Sequence, residues 1–444
     1  MTAFFIALTL LCFVLMFIVS REYKLAIMFV ATMLLSLVIL PFKGITALMV
    51  ITLGFLLSEA MYFRGHWRRL KLSVLLPYLI LVAVSFVLAA VASPHLHNVN
   101  DLGYFALSEV MVKQLAIIYG FMALRRRRSI RPLLLVSFGA LILMTVIGYA
   151  NFVSGSSFMV EELYSGILSE YDFIHTERFR VQATFLNPFD YGFMCVLLAV
   201  LHLYGYLQKM EDVKLLAVAQ ACCLFGVFTC NCRTILFCYA VCALVFAIAI
   251  QKQRTRKLYL LLGAVALGFA LILFVPGARR LILSVLTIFD PTSVTKGSSL
   301  AMRLVQLTSV IFYISASPLY LLFGRGVHFF ELDLGWENGS VLAADSELYG
   351  LEGIYLNLLL ERGVLGFALY LAMMVLIAVF IIRHRKLGRK LYALGITVFA
   401  LYILFSFMTG ELLSATPSFY ILGYVIANQT LRQHIIRRRP RCRA

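Results

Sequence analysis

Apolar runs of about 17–25 residues recur along nearly the whole chain, and each is long enough to cross a hydrocarbon layer of roughly 30 Å as a helix. The pattern predicts about thirteen helices, near residues 2–20, 25–42, 44–62, 72–92, 104–124, 133–153, 188–207, 215–232, 234–250, 258–275, 353–382, 391–409 and 418–431. The 353–382 stretch is too long for one simple span and is expected to begin outside the bilayer. The first span has no positive leading region, and Ser20-Arg21-Glu22 is a poor cleavage site, so it reads as a span and not as a removed signal peptide. Twelve spans remain an alternative count. The expected fold class is an all-α polytopic membrane protein.

Composition agrees with this class. Of the 444 residues, 62% are hydrophobic and only 14% charged, whereas a soluble chain is nearer half apolar and a quarter charged. No polar stretch is long enough to hold a soluble domain. The formal net charge of +18 is placed unevenly. Basic clusters at Arg21–Lys24, Arg64–Lys71, Arg125–Arg131, Lys209–Lys214, Lys252–Lys257, Arg383–Lys390 and Arg432–Arg443 hold most of the Lys and Arg residues. Acidic residues concentrate in the segments between them. Short basic loops stay cytoplasmic, so the basic set is expected inside and the acidic set outside, with the N-terminus outside and the C-terminus inside. The basic residues read as membrane-flanking anchors, and nucleic acid is not an expected partner. Six clustered cysteines, Cys222, Cys223, Cys230, Cys232, Cys238 and Cys242, lie in apolar spans and read as small hydrophobes, with no zinc spacing.

The chain therefore divides into N-terminal transmembrane helices (1–153), an external loop (154–187), central transmembrane helices (188–275), a large external loop (276–352), and C-terminal transmembrane helices with a basic tail (353–444). The large loop is neither polar nor of low complexity. Arg279–Phe289 and Leu300–Ile314 carry apolar residues at helical spacing, and Pro318, Gly324 and Gly326 break the pattern after them. A helical cap over the bundle is expected. No P-loop and no Gly-rich nucleotide fingerprint occurs, nor a pair of half-length, Gly/Pro-broken helices of the transporter kind.

Three cations stand in apolar settings. Arg233 lies between two apolar spans with almost no loop, Arg180 precedes the span start at Asn187-Pro188, and Arg303 sits on an apolar cap helix. A cation in low dielectric needs an anionic partner. Three of them facing one side point to a diphosphate, which accepts forked guanidinium hydrogen bonds; each could instead pair with a loop carboxylate or reach lipid headgroups. Glu352 opens the span EGIYLNLLLERGVLG, followed by Glu361 and Arg362. A partly desolvated carboxylate there can act as a general base or can simply cap the helix. Arg325 and Glu347 are reserves for the same two roles, and Asn187, Tyr355 and His328 complete the substrate-binding candidates, although His328, like His175, reads first as a surface or loop-packing histidine. Glu109 and Lys113, spaced i,i+4, read as a mutually neutralising pair.

At these residues the chain resembles the bacterial O-antigen ligase and polymerase superfamily over about 178–370. RFRVQATFLNPFDYG is similar to the family's arginine and Asn-Pro segment, and FTCNCRTILFCYAV to its Ser-Arg-Gly turn. SSLAMRLVQLTSVIFYISASPLYLLFGRGVHFF resembles its arginine-bearing external helix and glycine-rich turn, and EGIYLNLLLERGVLG its closing motif. Family ligases open that motif with His-Asn. Here Glu352-Gly353 stands instead, which favours a polymerase of the Wzy type.

The resemblance implies a bundle like that of GT-C glycosyltransferases in the bacterial inner membrane, with its active site facing the periplasm. It implies a repeat-unit polymerase of O-antigen or exopolysaccharide that needs no metal and no cofactor. Such an enzyme moves a growing glycan, with inversion, from polyprenyl (undecaprenyl) diphosphate to a lipid-linked repeat unit. A chain-length regulator is a possible partner. Arg180, Arg233 and Arg303 would hold the diphosphate and Glu352 would take the acceptor proton. An O-antigen ligase acting on lipid A–core, or a flippase for lipid-linked glycans, is the alternative.

Overall fold

The computed structural model describes residues 2–35, 38, 45–62, 74–124, 127–157, 159, 180–185, 187–250, 300–329, 351, 353–383, 385–408 and 415–438, and the statements below concern these. Their regular structure is helical, with no strand among them. In chain order the helices are α1 (Thr2–Ile18), α2 (Arg21–Leu34), α3 (Ala47–Tyr62), α4 (Leu76–Ala92), α5 (Val99–Phe105), a π-helix (Ala106–Gln114), α6 (Ala116–Ala123), α7 (Arg131–Ser154), α8 (Pro188–Leu207), α9 (Val213–Thr229), α10 (Arg233–Ile250), α11 (Leu300–Ser315), α12 (Pro318–Phe323), α13 (Ile354–Arg383), α14 (Arg389–Met408) and α15 (Thr416–Arg438). A helix occupies every range that periodicity predicts except 258–275, which lies outside the described residues. The cap helix expected at 300–314 is α11; the one expected at 279–289 also lies outside them.

Local chemistry starts and stops these helices. Asn187 caps α8 by accepting the amide of Phe189 at 3.0 Å, ahead of Pro188 in the first turn. Asp212 caps α9 through the amide of Leu215 at 2.7 Å, and Gly155 ends α7 in a left-handed conformation.

Five helices are long and apolar enough to cross a membrane: Arg128–Ser154, which extends α7 by its leading turn, then α8, α10, α13 and α14. Val99–Gln114 and Ala116–Ala123 make one further span, bent by 46°. Polarity and burial run opposite to a soluble protein. α8 is the least apolar of the five and the most buried, while α7 and α13 are more apolar and much less buried, with exposed apolar side chains such as Leu135 at 64% and Val375 at 58%. Lipid tails are as apolar as leucine, so outward-facing side chains lose nothing there and polar groups gather in the interior. The chain is a multi-pass helical membrane protein.

α8 packs against α7, α9, α10 and α14, and its Tyr204 hydroxyl meets that of Tyr424 on α15 at 2.9 Å. α15 lies backbone to backbone on α6: a Cβ on Gly120 would fall 2.0 Å from the Tyr420 carbonyl oxygen, and one on Gly423 2.1 Å from that of Ile117. Small residues at a crossing permit this approach. One expected anchor behaves differently. Lys24 is 3% exposed and its Nζ donates to Glu59 Oε1 at 3.1 Å and to Ser58 Oγ at 2.9 Å, while Arg21 Nε reaches Glu59 Oε2 at 2.9 Å. Glu59, on α3, turns a headgroup anchor into an interior ion pair.

Candidate functional site

The start of α3, the bent span and the start of α13 frame a cavity of about 1280 Å³, with Val327 and His328 of the turn after α12 also lining it. It lies at the ends of these helices remote from Arg128, Arg131 and Arg383, and therefore away from the basic connections. Its polar lining includes His95, Asp101, Glu109, Lys113, His328, Asn357, Glu361 and Arg362.

The π-helix supplies Glu109 and Lys113. Its wider turn leaves carbonyls without their usual amide partners, a geometry that recurs at functional sites. Two tyrosine hydroxyls satisfy them: Tyr78 of α4 donates to the Gln114 carbonyl at 2.9 Å and Tyr119 to that of Met111 at 2.8 Å. The amide of Leu115 bonds the Val110 carbonyl five residues back at 2.9 Å. Lys113 Nζ bonds Glu109 Oε1 as the i,i+4 spacing predicts. The pair is not self-contained, because Glu109 Oε2 lies 3.6 Å from the guanidinium of Arg362 on α13. Arg362 also stands 5.4 Å from the ring centre of Phe105 and is 7% exposed.

Arg362 arrives there because α13 is broken directly after it. Gly363 has φ +60° and ψ −168°, outside helical values. The break frees carbonyls, and the glycine-rich turn after α12 takes them: the amide of Arg325 donates to the Leu360 carbonyl at 2.8 Å and that of Gly326 to the Glu361 carbonyl at 2.9 Å. The Glu361 carboxylate accepts the amide of His328 at 3.1 Å, and Ser93 Oγ accepts that of Val327 at 2.8 Å. The turn thus clamps the end of α4 to the kink of α13. His328 pays for its place with φ +65°, a left-handed backbone held by these surrounding contacts.

The chain matches no protein-family model and no curated protein.

The residues singled out from sequence fall in three places. Arg180, Asn187 and Arg233 share one end of the α8–α10 group, where the amide of Val181 bonds the Thr229 carbonyl at 3.1 Å. Arg303 and Arg325 belong to the cap. Arg303 donates to Gln306 Oε1 at 3.0 Å, and Arg325 is held between Tyr320 and Phe329, 4.1 and 5.3 Å from their ring centres, with its Nε donating to the Tyr313 carbonyl at 3.1 Å. That environment makes Arg325 a fixture of the docked turn. His328 borders the cavity, whereas Tyr355 turns into an aromatic group with Phe367, Tyr370 and Phe407. Glu347 and Glu352 lie outside the described residues.

Sequence reasoning passed over Glu109, Lys113, Asn357 and Arg362 as site residues. The available signal was the presence of ionisable groups inside apolar spans, which marks function unless a local partner explains it. The i,i+4 spacing of Glu109 and Lys113 offered such a partner.

Proposed function

We propose that this protein is a membrane glycosyltransferase of the O-antigen polymerase kind, with a GT-C-like bundle, acting on polyprenyl-diphosphate-linked glycan at the periplasmic face of the inner membrane. The observation that carries the reading is the docking of the Gly324–His328 turn on Leu360 and Glu361. Two of the four segments that resemble the superfamily thus meet beside a polar cavity at the bundle end remote from the basic connections. At about 1280 Å³ it exceeds the roughly 300–1,000 Å³ of ordinary small-molecule sites and has room for several sugar units.

In this reading Arg180, Arg233 and Arg303 stabilise the charge that grows on the leaving diphosphate, as preorganised cations do in a water-poor site. Glu352 takes the proton of the attacking sugar hydroxyl on the opposite side, giving inversion by direct displacement. Glu352-Gly353 in place of His-Asn favours a polymer product over transfer to lipid A–core. A chain-length regulator would then act on the same protein.

One observation favours a second reading. The bent 99–123 span and the kinked α13 are both interrupted, and Arg362 beside the α13 kink faces Glu109 in the π-helical part of the bent span. Transporters build substrate sites from discontinuous helices, so a flippase of lipid-linked glycan is the alternative. Purified protein in nanodiscs, given a synthetic polyprenyl-diphosphate repeat unit with and without EDTA, separates these readings. A ladder of repeat-unit spacing supports the polymerase. Transfer only after lipid A–core is added makes it a ligase, and movement of the lipid across proteoliposomes without any transfer makes it a flippase.

A further inference from the structure

Ile354, Asn357, Leu358, Glu361 and Arg362 present one face of α13 to the cavity. On this face a donor and an acceptor are buried without a partner: Nε of Arg362 and Oδ1 of Asn357. A third unpartnered atom, Oε1 of Gln114, belongs to a residue lining a pocket of about 30 Å³ just beneath, which shares Glu109, Lys113 and Arg362 with the main cavity. Buried polar atoms are almost always matched, so such a set calls for a ligand with complementary groups.

The charges decide which ligand. Lys113 and Arg362 stand against Asp101, Glu109 and Glu361, so the lining is not an excess of cations. A diphosphate offers acceptors and negative charge only. It could bond Arg362, but the three carboxylates would repel it. A sugar hydroxyl both donates and accepts, and can serve the guanidinium, the amide oxygens and the carboxylates together.

We infer that this cavity is a glycan subsite, in which Arg362 and Asn357 of α13 hold sugar hydroxyls while the diphosphate of the same lipid is held elsewhere. Glu109 and Lys113 fix Arg362 in place from the π-helix. This rests on the reading of the protein as one that handles lipid-linked glycan, and it adds which part of that substrate lies where.

The test is direct binding to the full-length protein in nanodiscs, with three probes: polyprenyl diphosphate bearing the repeat unit, the same lipid without sugars, and the free glycan. The variants are Asn357→Ala and Arg362→Lys, the latter keeping a cation beside Glu109, with thermal unfolding to confirm that each is folded. The expected result is about a tenfold loss of affinity for both sugar-bearing probes, the size of one lost hydrogen bond, with the bare lipid unchanged. Equal losses for the bare and glycosylated lipids would make the cavity an anion site and overturn the inference. So would unchanged binding of every probe to folded Asn357→Ala. Wild-type protein that binds the free glycan in an Asn357-dependent way, but neither lipid, would uphold the subsite and remove the lipid-diphosphate reading instead.

Discussion

Gly324 and Gly363 meet backbone to backbone: a Cβ on Gly363 would lie 2.4 Å from the Gly324 amide nitrogen, and one on Gly324 2.3 Å from the Glu361 carbonyl carbon. Both residues also have positive φ, +80° and +60°. The cap turn and the helix kink therefore specify each other, since neither backbone could adopt its path with a side chain between them.

Alanine at either glycine should undock the turn. The left-handed backbone alone costs about 1–3 kcal/mol for a residue with a side chain, and the clash with main-chain atoms adds to it. Gly363→Ala should lower the thermal unfolding midpoint and speed proteolysis within 324–328. An unchanged midpoint with a protected turn would show that the two segments are not joined as described.

Glu59 should be among the least replaceable charges in the interior. Lys24 is 3% exposed and takes its anionic partner from Glu59, so Glu59→Ala should destabilise the protein by about 3–5 kcal/mol. Replacing Lys24 and Glu59 together with methionine should recover most of that loss, because no buried charge is then left unmatched. Chemical unfolding of the single and double variants in one detergent gives the comparison.

The π-helix is held by hydroxyls from two helices, and each should be worth about 1 kcal/mol. Tyr78→Phe and Tyr119→Phe should each cost about that much while leaving the packing of the rings intact. Hydrogen exchange at Val110–Leu115 should rise in both variants and rise further in the double variant. Exchange unaltered in all three would mean that the tyrosines do not support the π geometry.

The helix ranges were legible because an apolar run long enough to span lipid leaves few alternatives, and the amphipathic cap segment at 300–314 was legible by its spacing. The site was less so, for reasons of distance. Glu109 and Lys113 advertise their mutual bond, but the π turn that aims them depends on Tyr78 of another helix. The position of Arg362 depends on a kink completed by amides at Arg325 and Gly326, which no local pattern around 362 reveals. Lys24 looked like a headgroup anchor because its partner lies on the following helix.

The proposed reaction is glycosyl transfer with an arginine-held diphosphate and a carboxylate base. The most direct measurement is the product ladder formed in nanodiscs by wild type, Glu352→Gln and Arg303→Ala from the same synthetic polyprenyl-diphosphate repeat unit. Wild type should give a ladder that falls at least about a hundredfold in both variants, while each still binds the lipid-linked glycan. A wild-type ladder retained at full rate by both variants would contradict the assigned roles, and a wild-type protein that binds the substrate without joining repeat units to any acceptor would contradict the transferase itself.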